Sequence, residues 1–321
     1  MKLAIMGGGY AGLSAAMHAL DQGFVAHVYR ETAEAASHIS TGFLHPYVGK
    51  FPVRQRDADK YLASTGALFQ EVEEISKIAF RRKKGIFRPA LFPSQEKHFR
   101  KLASKHPDVQ FLSEEEAGLL IPGLRAPGIL LLEGEQIDSL AYIKALEKTI
   151  QEKGGLVFSS QKVRQEDYDA LILATGSLLF QEMRESLDLI KGQLLLFRSA
   201  TLQLPYPLLG HPYLTPYREK HEFALGATYE KGEFSPDPDE KALSLLKKLH
   251  YFSLPKDLVI TGKIAGFRVY PKEKQGPVLR RMGEKTWAFT GLGSKGLLLH
   301  SYFGKQLVEE VAKNVSGNCL A

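Results

Sequence analysis

The stretch Leu3-Ala4-Ile5-Met6-Gly7-Gly8-Gly9-Tyr10-Ala11-Gly12, near the start of the chain, decides the fold. A short apolar run, typical of a buried parallel strand, leads directly into glycines spaced as G-x-G-x-x-G. A predicted helix from Ala11 to Gln22 follows, Gly23 ends it, and residues 25–29 form the predicted next strand. Gly7, Gly9 and Gly12 would allow a tight turn, close approach of the backbone to a pyrophosphate, and packing of helix on strand. The stretch therefore predicts a parallel α/β sheet with a dinucleotide site.

The end of the predicted second strand departs from this pattern. An acidic residue would normally bind the ribose hydroxyls there, but Arg30 occupies the position and Glu31 follows it. Either Glu31 reaches the ribose, or backbone groups and water bind it. We count both residues as candidate cofactor contacts.

A second match to the glycine pattern, Gly291-Leu292-Gly293-Ser294-Lys295-Gly296, follows a strand-like segment at residues 287–290. Only 25 residues follow Gly296, which is too few for a helix and another parallel strand, so we predict no second dinucleotide domain. The loop can instead direct the start of a helix, predicted to reach about Lys313, and Lys295 toward an anionic atom. Hydride uptake by a flavin creates such an anion at its N1–C2=O edge. The alternative is an ordinary loop before a terminal helix.

A third element is the apolar strand predicted within residues 168–177, which ends in Ala174-Thr175-Gly176. By itself it is simply a buried strand followed by a turn. FAD-binding folds commonly close the flavin site with such a strand, because its small residues allow close approach of the cofactor. Together the three elements favour FAD.

Composition sets the remaining limits. A chain of 321 residues with 44% apolar residues is long enough for about two domains with a substantial core. Cys319 is the only cysteine, so neither a disulfide framework nor a zinc site is expected. The apolar run that stops at Gly7 is too short for a signal peptide, and no run is long enough to span a membrane. These features predict a cytoplasmic protein without bound metal.

The sequence resembles the D-amino-acid-oxidase-like superfamily of FAD-dependent amine oxidoreductases. Within it the chain is most similar to the C-terminal oxidase domain of the bifunctional MnmC enzymes, which modify tRNA wobble uridine. Six segments carry the resemblance: residues 36–46 (Ala-Ser-His-Ile-Ser-Thr-Gly-Phe-Leu-His-Pro), Lys191-Gly192-Gln193, Tyr213-Leu214-Thr215-Pro216, Leu225-Gly226-Ala227-Thr228-Tyr229, Gly266-Phe267-Arg268, and residues 291–297. The methyltransferase domain of those enzymes is not in this sequence, so any methylation is expected from another protein.

The resemblance implies an α/β fold: a two-dinucleotide, Rossmann-like FAD-binding domain of the glutathione-reductase type with an interleaved antiparallel-sheet α+β substrate domain. The FAD-binding domain would comprise residues 1–45, 136–180 and 262–321. The substrate domain would comprise residues 46–135 and 181–261, where Pro205, Pro207, Pro212 and Pro216 punctuate hairpin-like segments. FAD should be bound noncovalently, because Cys319 lies past the last predicted helix.

The resemblance also implies roles for particular residues. Arg268 matches the arginine that pairs with the substrate carboxylate, although a structural arginine is the alternative. Tyr213 and Tyr229 would wall the substrate pocket or pack in the core. His45 would tune amine protonation or be structural. Further cofactor contacts are expected from Ser37, Thr41, Gly42, Leu44, Val163 and Leu297.

The charge of the chain is concentrated in one segment. Lys77–Lys105 carries a net charge of +9, whereas the whole chain carries +6. It contains Arg81-Arg82-Lys83-Lys84 and interleaved phenylalanines at Phe80, Phe87, Phe92 and Phe99, a composition suited to tRNA phosphates and stacked bases. The alternative is a solvated hairpin followed by a helix whose phenylalanines face the core.

Three functional hypotheses remain open. In the first, the protein oxidises the carboxymethylamino C–N bond of modified wobble uridine in tRNA, releasing glyoxylate and leaving 5-aminomethyluridine. In the second, it oxidises a free amino acid such as glycine, sarcosine or a D-amino acid. In the third, it is a noncatalytic FAD- or tRNA-binding module, which only the unusual Arg30 supports. For either enzyme, the absence of an NAD(P) domain points to dioxygen or a small carrier as electron acceptor.

Overall fold

The structure is a computed structural model that describes residues 1–30, 35–159, 163–232, 235–273 and 276–317. The α-helices in these ranges are α1 (Tyr10–Asp21), α2 (Ala58–Ser76), α3 (Pro93–Ala103), α4 (Glu114–Leu120), α5 (Ser139–Glu152), α6 (Ser244–Lys248) and α7 (Gly296–Gly317). The strands are β1 (Lys2–Met6), β2 (Val25–Tyr29), β3 (Phe43–Leu44), β4 (Tyr47–Val48), β5 (Val53–Arg54), β6 (Arg81–Pro89), β7 (Val109–Leu112), β8 (Gly128–Ile137), β9 (Leu156–Phe158), β10 (Ala170–Leu173), β11 (Leu187–Arg198), β12 (Tyr213–Pro216), β13 (Glu222–Gly226), β14 (Glu230–Lys231), β15 (Val259–Pro271), β16 (Val278–Arg281) and β17 (Thr286–Thr290).

A six-stranded sheet is built around β1. Its strand order is β16-β17-β10-β1-β2-β9, and all neighbours are parallel except β16, which runs antiparallel to β17 at one edge. The central strand carries the buried residues Leu3, Ala4 and Ile5, as its continuous apolar run predicts. The predicted parallel α/β architecture is confirmed.

Four helices cover this sheet and share its largest apolar core. Residues of α1, α2, α5 and α7 pack together there with the buried side chains of β1, β10 and β17. Helix α2 lies within residues 46–135, yet Thr65 on α2 donates a hydrogen bond to the carbonyl of Leu297 in α7. The domain boundaries stay a prediction. Within the described ranges, no helix is both long and apolar enough to cross a lipid bilayer.

Two larger antiparallel sheets, the two-stranded sheet β4-β5 and the helices α3, α4 and α6 lie outside the parallel sheet. One larger sheet has the order β12-β13-β11-β14, with β15 paired along almost the whole of β11; the other larger sheet has the order β3-β8-β6, with β7 also paired to β8. In the β11–β15 pair, Gly192 lies opposite Gly266. The predicted combination of a parallel sheet with antiparallel sheets is thus confirmed.

Candidate active site

A cavity of about 700 Å³ lies where the carboxyl ends of the parallel strands approach the antiparallel sheets. Three of the loops that line it begin directly after strands: Gly7 follows β1, Ala174 follows β10 and Gly291 follows β17. Parallel α/β sheets bind ligands at this edge because the loops that leave adjacent strands meet there. The predicted cofactor residues that line the cavity are Gly7, Gly9, Arg30, Ser37, Thr41, Ala174, Thr175, Gly176, Gly291, Leu292, Gly293, Ser294, Lys295, Gly296 and Leu297.

The first glycine loop leaves no room for side chains. Gly7 has φ +121°, and a Cβ there would lie 2.3 Å from the carbonyl oxygen of Ala174. A Cβ on Gly12 would lie 2.0 Å from the carbonyl oxygen of Gly7, so Gly12 supports the loop from behind and does not line the cavity. Helix α1 begins directly after Gly9, and its first turn holds no acidic residue, so its N–H groups are available to an anion.

The cavity fits FAD on two further observations. Ser37 lines it, is 9% exposed, and its hydroxyl has no hydrogen-bond partner among the described residues. The cavity also extends from the first glycine loop at Gly7 to Arg268, so one continuous space lies beside both. Gly7, Gly9 and the start of α1 would hold the pyrophosphate, and Ser37 and Thr41 would contact the cofactor further along.

Arg30, directly after β2, lies against the first glycine loop: a Cβ on Gly8 would lie 2.8 Å from Cγ of Arg30. Its guanidinium is 3.3 Å from the carboxylate of Glu147 on α5, so it is already paired. Glu31 lies outside the described residues. Val163 does not line the cavity and packs with the cluster that contains Tyr29.

Two other predicted cofactor residues lie behind the cavity wall. Gly42 has φ +72°, and a Cβ there would lie 1.8 Å from the carbonyl oxygen of Ile137, so this glycine allows close passage of two chains. Leu44 is buried in the core beneath the parallel sheet. Both support the segment that carries Thr41 without lining the cavity.

The substrate end is formed by the β11–β15 sheet. Arg268 on β15 lines the cavity, and its Nη2 donates a 3.2 Å hydrogen bond to the carbonyl of Thr228. Tyr213 lies nearby: burial raises the pKa of its hydroxyl, and the positive charge of Arg268 partly offsets that rise. Tyr229 is 63% exposed and does not line the cavity. The structure therefore brings Arg268 and Tyr213 together and leaves Tyr229 outside.

Gly192 lies against Arg268, although the sequence alone gave it no role in the site. A Cβ on this residue would lie 2.3 Å from Nη2 of Arg268. Only glycine leaves space for the guanidinium in its present position. The glycine stands in the Lys-Gly-Gln segment quoted above, but only the pairing of β11 with β15 shows that it lies against Arg268.

His45 and Lys295 meet in the cavity wall. The ammonium nitrogen of Lys295 lies 3.2 Å from Nε2 of His45 and 3.3 Å from the carbonyl oxygen of Tyr47. Burial, followed by the charges of Lys295 and Arg88, holds the pKa of His45 well below its usual value. Burial and the charge of Arg88 also lower the pKa of Lys295 to about 7.

Arg88 is a charged cavity residue to which the sequence gave no role in the site. It was counted within the basic segment, but it is 8% exposed and lines the cavity beside His45 and Lys295. Burial lowers the pKa of its guanidinium to about 10. The available signal was weak: Arg88 directly follows the apolar residues Ile86 and Phe87, at the buried end of a strand that begins with four cations.

Four of the ten cations in the basic segment form ion pairs with carboxylates. Arg81 makes two hydrogen bonds of 2.8 and 2.9 Å to Glu135, and further ion pairs join Arg82 to Asp138, Lys84 to Glu133 and Arg100 to Glu96. Phe80, Phe87 and Phe99 are buried. These contacts agree with the alternative interpretation, a solvated hairpin followed by a helix, and the tRNA contact stays a prediction.

The Arg81–Glu135 pair should contribute to stability. Glu135 is 6% exposed, so Arg81→Gln would leave a buried carboxylate without its cation. We expect the free energy of unfolding, measured in urea, to fall by about 2–3 kcal/mol. Lys84→Gln, which breaks the exposed Lys84–Glu133 pair, is the matched control and should cost less than about 1 kcal/mol. Equal losses in the two variants would contradict the structural role of the first pair.

Comparisons with known proteins cover nearly the whole chain. The family model described as "DAO: FAD dependent oxidoreductase" matches residues 2–310. Similar structures include glycine oxidase from Bacillus cereus (19% identity, 97% of this chain, 94% of that chain, TM-score 0.80) and iminodiacetate oxidase from Chelativorans sp. BNC1 (18%, 99%, 95%, 0.80). L-alpha-glycerophosphate oxidase from Mycoplasma pneumoniae with FAD bound is similar as well (18%, 98%, 94%, 0.75). At these identities the structures establish the fold. No curated protein matches the chain in sequence.

Proposed function

Because the chain belongs to the DAO family of FAD-dependent oxidoreductases, we propose that it oxidises the C–N bond of a small amine that carries a carboxylate on the adjacent carbon. Free amino acids such as glycine, sarcosine or D-alanine are the proposed substrate class. The observation that carries the proposal is Arg268, a cation beside Tyr213 in the same cavity as the dinucleotide cradle. Glycine oxidase and iminodiacetate oxidase, which share this fold, are named for substrates of this chemistry.

The residues of the chain position the substrate. Arg268 would bind both oxygens of its carboxylate through the second N–H of Nη2 together with Nη1 or Nε, because only one hydrogen of Nη2 is donated to Thr228. Tyr213 would pack beside the bound carboxylate and limit its movement. FAD supplies the hydride acceptor when it is bound. The substrate Cα–H must then point toward the cofactor, and fixing the carboxylate at Arg268 restricts the amine to that orientation.

The positive charges that line the cavity should also favour the neutral amine, which is the form of the substrate that can be oxidised. Hydride leaves readily from a neutral amine, whereas free amino acids in water carry an ammonium group. Arg268 and Arg88 both line the cavity, so an ammonium there meets positive charge. These side chains would lower the pKa of the bound amine and hold it in the deprotonated state.

Modified wobble uridine in tRNA is the second candidate substrate. The observation in its favour is that Lys77, Lys97, Lys101 and Lys105 are exposed and have no ion-pair partner among the described residues. Its chemistry at Arg268 would be the same, since it also carries a carboxymethylamino group. Arg81, Arg82 and Lys84 form ion pairs with carboxylates, so fewer cations are available to phosphates than the sequence predicted.

One experiment separates the candidates. The purified yellow protein is mixed anaerobically with glycine, sarcosine or D-alanine, and separately with tRNA that bears the carboxymethylaminomethyl group, while flavin absorbance is followed. We expect bleaching by at least one free amino acid and none by the tRNA. Bleaching by the tRNA alone would instead support the second candidate. A colourless protein that takes up no FAD would eliminate both and leave the noncatalytic module.

A further inference from the structure

The hydrogen bond that holds Arg268 lies at an irregularity between two strands. β13 and β14 both pair with β11, and residues 227–229 separate them. These three residues face only Gly192 and Gln193 of β11, so the chain carries one residue more here than the ladder can pair. Such bulges interrupt the ladder and are common beside active sites. The bulge leaves the carbonyl of Thr228 free to accept from Arg268.

This one backbone carbonyl orients the guanidinium of Arg268. Among the described residues, the carbonyl of Thr228 is the only hydrogen-bond acceptor that Arg268 contacts. The absent side chain of Gly192 leaves space for the guanidinium, but space does not fix a direction. Arginine has many rotamers, and a side chain already held in one of them loses less entropy when a carboxylate binds. The position of the carbonyl therefore sets how well Arg268 is prepared for its ligand.

Gln193 holds Thr228 from the face of the sheet that is turned away from the cavity. Gly192 and Leu194 line the cavity, and side chains alternate between the two faces of a strand, so Gln193 points to the other face, where it is fully buried. Its backbone N–H donates to the hydroxyl of Thr228 at 3.0 Å, and its carbonyl accepts from the N–H of Thr228 at 3.2 Å. Both the side chain and the main chain of the threonine are therefore fixed.

Two acidic residues complete the hydrogen-bond network on that face. The hydroxyl of Thr228 donates to Oε1 of Glu230 at 2.5 Å. Nε2 of Gln193 donates to Glu230 and Asp239 at 2.8 and 2.9 Å, and Oε1 of Gln193 accepts from the backbone N–H of Asp239 at 2.7 Å. The buried amide thus uses both of its donors and its carbonyl oxygen. A buried network with all members satisfied is rigid.

Lys241 helps to keep Glu230 in its ionised form. The ammonium nitrogen of Lys241 lies 2.8 Å from the Glu230 carboxylate. Burial raises the pKa of Glu230, but the hydrogen bonds from Lys241 and from the rest of the network outweigh burial, and the pKa lies below its ordinary value. At neutral pH the carboxylate therefore accepts from the hydroxyl of Thr228, which cannot rotate without breaking that bond.

We propose that Gln193, Thr228 and Glu230 are positioning residues: from behind the sheet they fix the carbonyl that directs Arg268 into the cavity. The inference rests on the proposed function, in which Arg268 binds the substrate carboxylate. None of the three positioning residues lines the cavity, so their effect on a ligand passes through the guanidinium. Loss of the network should weaken the binding of carboxylates and leave FAD binding unchanged.

Thr228→Val tests the proposal, because valine has nearly the shape of threonine and lacks only the hydroxyl. The probe is methoxyacetate, a carboxylate without an amine to oxidise, and its binding to the FAD-loaded protein is followed by the flavin spectrum. We expect Thr228→Val to weaken binding about 5- to 10-fold, and Thr228→Ser, which keeps the hydroxyl, to stay within about twofold. Lys231→Gln, which breaks an exposed pair with Asp188 beside the network, is the matched control and should also stay within about twofold.

A double-mutant cycle separates positioning from general damage to the cavity. In an Arg268→Met protein, Thr228→Val should weaken methoxyacetate binding by less than about twofold, because no guanidinium remains to be held. Glu230→Leu repeats the test at a partly exposed position. It should weaken binding as much as Thr228→Val does, whereas Glu230→Gln, which keeps an acceptor oxygen, should lose less than about threefold.

The possible outcomes distinguish this inference from the proposed function. Equal losses from Thr228→Val with and without Arg268 would overturn the inference, as would loss of flavin from both Thr228→Val and Glu230→Leu. Binding that Arg268→Met weakens and Thr228→Val does not would overturn the inference alone. Methoxyacetate binding of equal strength in Arg268→Met and in the original protein would remove Arg268 from the carboxylate site, and the proposed function with it.

Discussion

Arg268→Met should slow anaerobic reduction of the bound flavin by amino acids by about 10²- to 10³-fold at subsaturating substrate. The guanidinium lies in a wall of the cavity, so its loss removes two charge-assisted hydrogen bonds to a carboxylate that has left water. Removing one partner of such a pair costs about 3–5 kcal/mol, and each 1.36 kcal/mol is a factor of ten in rate. Stopped-flow absorbance with glycine or sarcosine gives the rate directly.

The control for this experiment is Arg280→Met, which changes an exposed arginine on edge strand β16 that hydrogen-bonds Ser186. It should leave the reduction rate within about twofold of the original, as expected for a surface change. Arg268→Lys should recover part of the loss, since a lysine keeps the charge but not the two-pronged geometry. Methylamine, which has no carboxylate, should react at the same slow rate in the original protein and in Arg268→Met. An Arg268→Met protein that reduces as fast as the original with glycine would remove Arg268 from the site.

Gly12→Ala should abolish flavin binding. The added Cβ would lie 2.0 Å from the carbonyl oxygen of Gly7, which is backbone and cannot swing aside as a flexible side chain would. Either α1 moves away from β1 or the cradle changes shape, and both outcomes remove the N–H groups aimed at a pyrophosphate. We expect the purified protein to lose its yellow colour and its free energy of unfolding to fall by about 3 kcal/mol.

Gly66→Ala is the matched comparison for this change. Gly66 lies within α2, and a Cβ there meets nothing within 4 Å, so the same substitution is free of steric cost. Alanine is the better helix former, and we expect a gain of about 0.5–1 kcal/mol with full flavin content. If Gly12→Ala bound FAD as well as Gly66→Ala does, the close packing of the glycine loop would not matter to the cofactor.

The nucleotide end of the molecule could be predicted because its signals are local. Strand, glycines and helix follow one another within the first 22 residues, and the structure places α1 at Tyr10–Asp21, one residue earlier than predicted. The second glycine loop lines the cavity, which agrees with one of the two roles that the sequence left open for it, a loop that directs a helix start toward an anion. Arguments of this kind need no knowledge of distant partners.

The cavity residues on the antiparallel sheets could not be predicted, because their contacts depend on pairing between strands that are far apart in sequence. The charge of Arg81 looked free until β8 brought the carboxylate of Glu135, 54 positions away in sequence, within 2.8 Å of its guanidinium. Arg88 looked like one more cation of the same segment, although it points into a different environment from its neighbours. Tyr229 shared a matching segment with residues of the site but lies at the surface. Sequence spacing cannot distinguish these cases, since sheet pairing decides which side chains face the cavity.

The strand order of the parallel sheet has a consequence for synthesis of the protein. β1 is made first, yet its neighbour β10 begins at Ala170, and the next strand, β17, ends at Thr290. At about 5–20 residues per second, a ribosome needs about 15–60 s to pass from the first glycine loop to the last. During that time the emerging α1 cannot bury its apolar face against α7. The cavity is therefore incomplete until the loop at residues 291–297 has been synthesised.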